Sequence, residues 1–482
     1  MKKVLIANRG EIALRIIRSA KKMGISTLAV FSEADRKMPF VREADEAVCI
    51  GPAESKNSYL KTDKIIEVAK KYFVDAIHPG YGFLSENADF AEEVNKAGLT
   101  FIGPLPKTIR EMGDKIAARD IAKKAAVPLV PGTEEAITKI DKALNFARSI
   151  GFPVIIKAAA GGGGKGMRIV ENEKEFEAQM KRATSEALNA FGNGAVFVEK
   201  YIQNPKHIEI QILADQHGQV LHLLERECSV QRRHQKVIEE APSPVVNEEL
   251  RKKMGADAVR LAKICNYQSA GTVEFIVDEE LNYYFLEMNT RLQVEHPVTE
   301  MITGLDLVAW QIRIARGEQL TLQQEDIIPN GHAIELRVYA EDTTNDFLPS
   351  TGHLSQYSTP KGENIRVDDG YEQGLDVPIY YDPMLSKLCA WGKNRDEAIA
   401  QLLSAIDHYL VDGISTTLPF GRFALNHLAF RDGTFTTNFV KEYFKPEALK
   451  KAEKDRVEGA AIVALNHYLK KARTYRPIIR QK

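Results

Sequence analysis

The first hundred residues alternate short apolar runs with amphipathic segments, and no other feature constrains the fold as strongly. Val4 to Ala7, Thr27 to Phe31, Ala76 to His78 and Thr100 to Ile102 read as strands; Ile12 to Met23, Thr62 to Tyr72 and Asn87 to Ala97 read as helices between them. This β-α rhythm predicts a parallel sheet with helices on both faces. The turn Asn8-Arg9-Gly10-Glu11 after the first strand lacks the G-x-G-x-x-G spacing, so a dinucleotide fingerprint is missing. His78 to Asn87 follows the third strand, at the carboxyl end where open α/β sheets bind ligands. There Gly80 and Gly82 allow close backbone approach and Tyr81 supplies a flat wall, although a plain turn with Asn87 as helix cap fits the same residues.

At 482 residues the chain has room for roughly three domains of about 100–200 residues each. Thr108 to Ala126 reads as a helix carrying Lys115, ending at Val127-Pro128. From there to about Tyr201 a small α/β unit is expected, with strands Val154 to Ala158, Met167 to Val170 and Ala195 to Lys200. Its first two strands are joined by Gly161-Gly162-Gly163-Gly164-Lys165-Gly166. Glycine loses the most backbone entropy on folding, so such a run is expected where a backbone hugs a ligand or a flap moves. It is not a Walker A loop, but Lys157 on the incoming strand could reach nucleotide phosphates. Glu199 to Ile202 could meet an adenine.

Chemistry concentrates between Gly271 and Met301. Thr272 to Val277 and Tyr283 to Met288 read as two strands of a hairpin that sets Glu274, Glu287 and Asn289 side by side. Two carboxylates and an amide oxygen are hard donors suited to Mg²⁺. Arg291, Gln293, Val294 and Glu295 then offer an anion fork and a candidate base. Elsewhere, His207 to Ile212 alternates as a half-buried strand with His207, Glu209 and Gln211 on its polar face. Glu225 to Lys236 is a dense charge run whose mixed signs favour an internal ion network or anion site over nucleic acid. His332 to Ala340 alternates again and projects Glu335 and Arg337 to one face.

Lys+Arg of 65 against Asp+Glu of 66 leaves no overall basic footprint for nucleic acid. Cys49, Cys228, Cys265 and Cys389 lack metal or disulfide spacing, which favours a reducing cytoplasm. No apolar run near 20 residues suggests a membrane span.

The glycine run, the two lysines, the Glu…Glu-x-Asn set and the anion fork together resemble the ATP-grasp fold. IANRGEIALRI, HPGYGFLSEN, MGDK, GGGGKGM, ERECSVQRRHQK, EMNTRLQVEHPVTEM and YYDPMLSKL, in that order across residues 1 to about 446, resemble biotin carboxylase. The resemblance implies an N-terminal parallel α/β (pre-ATP-grasp) domain over 1–113, a helical connector 114–131, a glycine-rich ATP-grasp lid 132–203, a larger α+β catalytic domain 204–446 and a helical, basic tail 447–482. It implies that ATP and bicarbonate, with Mg²⁺ or Mn²⁺, carboxylate N1′ of biotin through carboxyphosphate. Lys115, Lys157, Gly163, Gly164, Met167, Glu199, Lys200, Ile202, His207, Gln231, His234, Glu274, Ile276 and Glu287 would be nucleotide ligands, and Glu274, Glu287 and Asn289 the metal set. Lys236, Arg291, Gln293, Val294 and Glu295 would bind bicarbonate, with Glu295 as base; Tyr81, Gly82 and Arg337 would meet biotin, Arg337 steadying its enolate. Ala160 and Leu292 depart from the family's usual glycine and isoleucine.

No Met-Lys-Met tripeptide occurs, so biotin is expected on a separate biotin carboxyl carrier protein, with the carboxyltransferase on a further chain and a homodimer as the expected assembly. In the tail, Ala460, Val463, Ala464 and Tyr468 suggest an amphipathic docking helix ahead of Arg473, Arg476 and Arg480. The competing readings are another ATP-grasp carbon–nitrogen ligase and a catalytically silent nucleotide-binding subunit.

Overall fold

The computed structural model describes residues 1–158, 167–191, 194–447, 449 and 461–470. The glycine run, with Gly163 and Gly164, lies outside the described residues, as do the three basic residues of the tail. The amino-terminal rhythm folds as the sequence predicts. Strands β1 (Lys3–Ile6), β2 (Ser26–Ser32), β3 (Glu46–Gly51), β4 (Ala76–His78) and β5 (Thr100–Phe101) form a parallel sheet ordered β3-β2-β1-β4-β5. Helix α1 (Gly10–Lys22) buries Ile12, Ile16, Ile17 and Ala20 on one stripe, and Gly24 at φ 71° ends it. Strand β3 has no counterpart among the predicted strands.

The expected helix over Thr108 to Ala126 is two helices, Pro106–Gly113 and Lys115–Lys124. Asp114 divides them because its side chain accepts from the N–H groups of Ile116 and Ala117 and caps the second helix. Strands β6 (Val154–Ala158), β7 (Met167–Val170) and β8 (Val196–Lys200) make a small antiparallel sheet, order β7-β6-β8, packed by helices Ile140–Ile150 and Glu173–Phe191.

The remaining core is an eight-stranded antiparallel sheet. It comprises β9 (Lys206–Ala214), β10 (Val220–Arg232), β11 (Gln235–Ala241), β12 (Ser269–Val277), β13 (Tyr283–Asn289), β14 (His332–Tyr339) and strands Met384–Gly392 and Ile365–Asp369. Its order is β13-β12-β9-β10-β11-β14, then 384–392 and 365–369. Strand β9, expected half-buried, is central and buried on both faces. Ile208, Ile210 and Ile212 enter an apolar cluster with Met254 and Leu261 of helix Glu248–Ile264. Glu209 and Gln211 face the other way and accept from the fully buried Arg226 guanidinium, at 2.5 and 2.6 Å. The alternation therefore encodes an internal polar layer, and the charge run through Arg226 is the internal ion network that its mixed signs suggested.

The Tyr267 ring, in the turn before β12, packs so closely against Gly271 that a Cβ there would overlap its hydroxyl, which donates to the Ala270 carbonyl. Gly271→Ala is expected to destabilise the fold by about 1–3 kcal/mol, read as a lowered thermal midpoint. Residues 461–470 are helical with Ile462, Val463, Leu465 and Tyr468 exposed, and among the described residues no helix is long and apolar enough to cross a membrane.

Candidate functional site

In the parallel sheet the connections run to opposite sides at β1 and β4, and the loops leaving these two strands open onto a cavity of about 720 Å³. Asn8 fixes this rim, donating from Nδ2 to the carbonyls of Pro79 and Tyr81 at 2.7 Å. Gly80, at φ 65°, passes so near Asn8 that a Cβ would be 2.9 Å from that nitrogen, so glycine is required. Asn87 also caps its helix, accepting from Phe90 N–H at 2.9 Å; cap and site-lining loop coexist. Tyr81, Gly82, Arg9 and Tyr381 line this side, with Arg9 stacked 4.2 Å above the Tyr381 ring and forked onto Asp35.

The opposite wall is the large sheet. Cross-strand register places Glu274 of β12 directly opposite Glu287 of β13, and Thr272 opposite Asn289. His207, Gln231, His234, Lys236, Asn289, Arg291, Gln293, Val294 and Arg337 share the same cavity wall. Lys236 is the hub: its Nζ donates to Glu209 at 2.6 Å, Glu295 at 2.8 Å and Glu274 at 2.9 Å, using all three ammonium hydrogens. Burial alone would lower its pKa, but Glu209, Glu295 and Glu274 outweigh that and hold it well above the usual lysine value.

Glu295 lies fully buried beneath the cavity floor at the start of helix His296–Thr303. Burial pushes its pKa up, yet Lys236, Arg337 and Arg226 win and hold it well below the ordinary carboxylate range. Arg337 Nη2 donates to its second oxygen at 3.0 Å. Arg291 is spread over Glu86 (Nε, 2.9 Å), Gln293 (3.0 Å) and Asn289 (3.1 Å). Every cation of the anion fork thus rests on an internal acceptor.

The metal set is partly formed. Glu287 is raised by burial and by the facing Glu274, whereas Glu274 is held low because Lys236 and His207 overcome its burial. Two facing carboxylates with hard oxygen donors fit a divalent cation, which would remove their repulsion. Asn289 donates its amide NH₂ to Glu274 (2.9 Å) and accepts from Arg291 through its oxygen, which keeps a second lone pair for a metal. His207, Glu209 and Glu274 also lie close enough to share an ion, although Glu209 is already held by Arg226 and Lys236.

Other expected nucleotide ligands stand apart from this cavity wall. Lys157 and Glu199, on β6 and β8, form an ion pair with each other. Lys200 Nζ donates to the carbonyls of Gly151 and Phe152 at 3.1 Å and so ties the turn before β6. Lys115 is the exposed first residue of its helix; Met167 begins β7, Ile202 follows β8, and Ile276 pairs with His207 across β12 and β9. Sequence reasoning missed Glu86, which holds Arg291 and the Thr290 N–H (3.0 Å), and Lys387, which donates to the Val294 carbonyl at 3.0 Å. Both sit inside family motifs, HPGYGFLSEN and YYDPMLSKL, where a charged residue beside a predicted site was the available signal.

A nucleotide-sized cavity, a facing carboxylate pair and a small sheet inserted between two larger ones define the ATP-grasp class. Family models match in succession: "Biotin carboxylase, N-terminal domain" over residues 1–109, "Carbamoyl-phosphate synthase L chain, ATP binding domain" over 114–323 and "Biotin carboxylase C-terminal domain" over 335–442. The chain belongs to the biotin carboxylase family. It is 51% identical over 444 residues to biotin carboxylase 1 of Bacillus subtilis, covering 92% of this chain and 99% of that one. It is 53% identical over 448 residues to the biotin carboxylase of Halalkalibacterium halodurans, covering 92% and 98%. The biotin carboxylase domain dimer of Hydrogenobacter thermophilus 2-oxoglutarate carboxylase, in complex with MgADP, ADP and bicarbonate, is 48% identical with a TM-score of 0.82, covering 92% of this chain and 97% of that one.

Proposed function

We propose that this chain is an ATP-dependent ligase that uses bicarbonate to carboxylate N1′ of biotin held on a carrier protein. The observation that carries the proposal is the direct contact between the two halves of the site: Lys236 bridges Glu274, of the carboxylate pair, and Glu295, at the anion fork. A relative of the same family that binds MgADP and bicarbonate supports it.

Mg²⁺, held by Glu274, Glu287 and Asn289, would supply charge neutralisation at the phosphates. His207, Gln231 and His234 lie beside that set on the same cavity wall and would meet the nucleotide, with Lys115, Lys157, Glu199, Lys200, Ile202, Met167, Ile276, Gly163 and Gly164 completing its contacts. Arg291, with its planar fork, and Lys236 would orient bicarbonate against the γ-phosphoryl for in-line attack. As Lys236 transfers to substrate anions, Glu295 loses one of the cations that hold its pKa down and becomes a stronger base, taking the bicarbonate proton. Carboxyphosphate then releases CO₂ and phosphate; phosphate accepts the N1′ proton as that nitrogen attacks CO₂. Tyr81 and Gly82 would border the biotin ring, and Arg337 would stabilise the negative ureido oxygen.

A biotin carboxyl carrier protein and a carboxyltransferase on separate chains, a homodimer, a cytoplasmic setting and the divisions at 113, 131, 203 and 446 belong to the same proposal. The test is ADP formation by the purified chain. It should require bicarbonate and Mg²⁺, fall to background when the metal is chelated, and rise when free biotin is added. ADP formation that ignores biotin and responds to an amine acceptor would assign the chain to a different ligase reaction.

A further inference from the structure

Beneath helix His296–Thr303 the large sheet presents charge where a core is ordinarily apolar. Register sets Glu239 of β11 opposite Glu335 of β14, and Arg337 opposite Lys387. Glu239, Glu335 and Lys387 are fully buried. Two buried carboxylates facing across a ladder repel as a pair of anions, so one of them is best kept protonated. Glu239 Oε1 lies 2.6 Å from Arg337 Nε, yet neither Glu239 oxygen receives an aligned hydrogen bond and that Nε–H has no aligned acceptor. On its other edge Arg337 donates through Nη2 to Glu295 and through Nη1 to Tyr339 Oη at 3.2 Å. The guanidinium is thus held between two buried acids, neither of which lines the cavity wall.

We propose that Glu239 is a positioning residue for the biotin step, holding Arg337 from behind so that it stays in place when Glu295 takes up a proton and its pull on Nη2 is lost. The inference rests on the assignment of Arg337 to biotin. A buried cation needs a counter-ion throughout the cycle. Glu295 surrenders that duty when it becomes neutral, and Glu239 is the remaining carboxylate within reach. The groups facing Glu239 are Arg337 and Glu335 from β14, Glu295 from the turn, Lys236 from β11 itself and Glu209 from β9. Burial raises Glu335 well above the usual carboxylate value and, against the pull of Arg337, raises Glu239 to about 7. Of the pair, Glu239 is the acid with a cation directly against it, its Oε1 lying 2.6 Å from Arg337 Nε.

The experiment compares two rates in the full chain with ATP, Mg²⁺ and labelled bicarbonate: ADP formation without biotin, and label fixed into free biotin. Glu239→Gln is expected to lower fixation about 10- to 100-fold while biotin-independent ADP formation stays within about threefold. Glu239→Asp, which keeps the charge at shorter reach, should fall between wild type and Gln, and it remains decisive if the Gln variant does not fold. Glu335→Gln, which mimics the neutral acid, should leave fixation within about threefold of wild type. Wild-type fixation should also weaken as pH falls through about 7, and this limb should vanish in Glu239→Gln. The proposal is overturned if both rates fall together in Glu239→Gln, if fixation is unchanged, or if Glu335→Gln is equally damaging. Wild-type enzyme that fixes no label into biotin would overturn the proposed function instead.

Discussion

Glu295→Gln is expected to lower bicarbonate-dependent ADP formation by about 10²–10⁴-fold, the range associated with loss of a positioned general base. The substitution preserves volume, but it turns one of the two acceptor oxygens into an NH₂ donor that faces Lys236 or Arg337. What it removes is the carboxylate that accepts from Lys236 at 2.8 Å and from Arg337 at 3.0 Å. The amide cannot take a proton from bicarbonate. Because Lys236 and Arg337 outweigh burial and hold Glu295 well below the ordinary range, it is ionised throughout the neutral region. Its own titration therefore adds no limb to the wild-type rate profile there. Equal ADP formation by wild type and Glu295→Gln would remove Glu295 from the chemistry.

Lys236→Met should be the most damaging single change to the fold itself. The Lys236 side chain is 11% exposed and neutralises three carboxylates, two of them with no exposed surface. Removing one partner of a buried ion pair costs about 3–5 kcal/mol because the other charge is left uncompensated. The pH dependence has a definite sign. Glu274 and Glu295 have folded-state pKa values below their unfolded ones, so they add stability above about pH 4.3, and that stability is lost as pH falls. Without Lys236 the same groups are pushed upward by burial and bind protons on folding. The difference in unfolding midpoint between wild type and Lys236→Met should be large at pH 7 and shrink towards pH 4. A constant difference across that range would mean that Lys236 contributes packing alone.

The sequence made the parallel sheet and the hairpin legible because both are local. Glu274, Glu287 and Asn289 fall on one face of two strands whose period of two is visible in the residues, and Arg291 to Glu295 follow within six positions. The family motifs brought in Lys236 and Arg337. Sheet order was not legible: β9 inserts between β12 and β10, and this brings Glu209 to Lys236. That placement made an apparently half-buried strand a fully buried one. Glu86 meets Arg291 across 205 positions, and Glu239 meets Arg337 through strand register that no local pattern specifies. The break at Asp114 was readable in principle, since an aspartate ahead of a helical run is a cap signal, but the apolar periodicity runs through it.

The carboxylates around Lys236 and Arg291 act as tethered competitors. Glu209, Glu274 and Glu295 are covalently part of the chain, so each confronts the lysine at an effective concentration far above that of any free anion. A stray chloride or acetate offers nothing these acids do not already provide. Any anion that enters the pocket must therefore displace acids that are already in place.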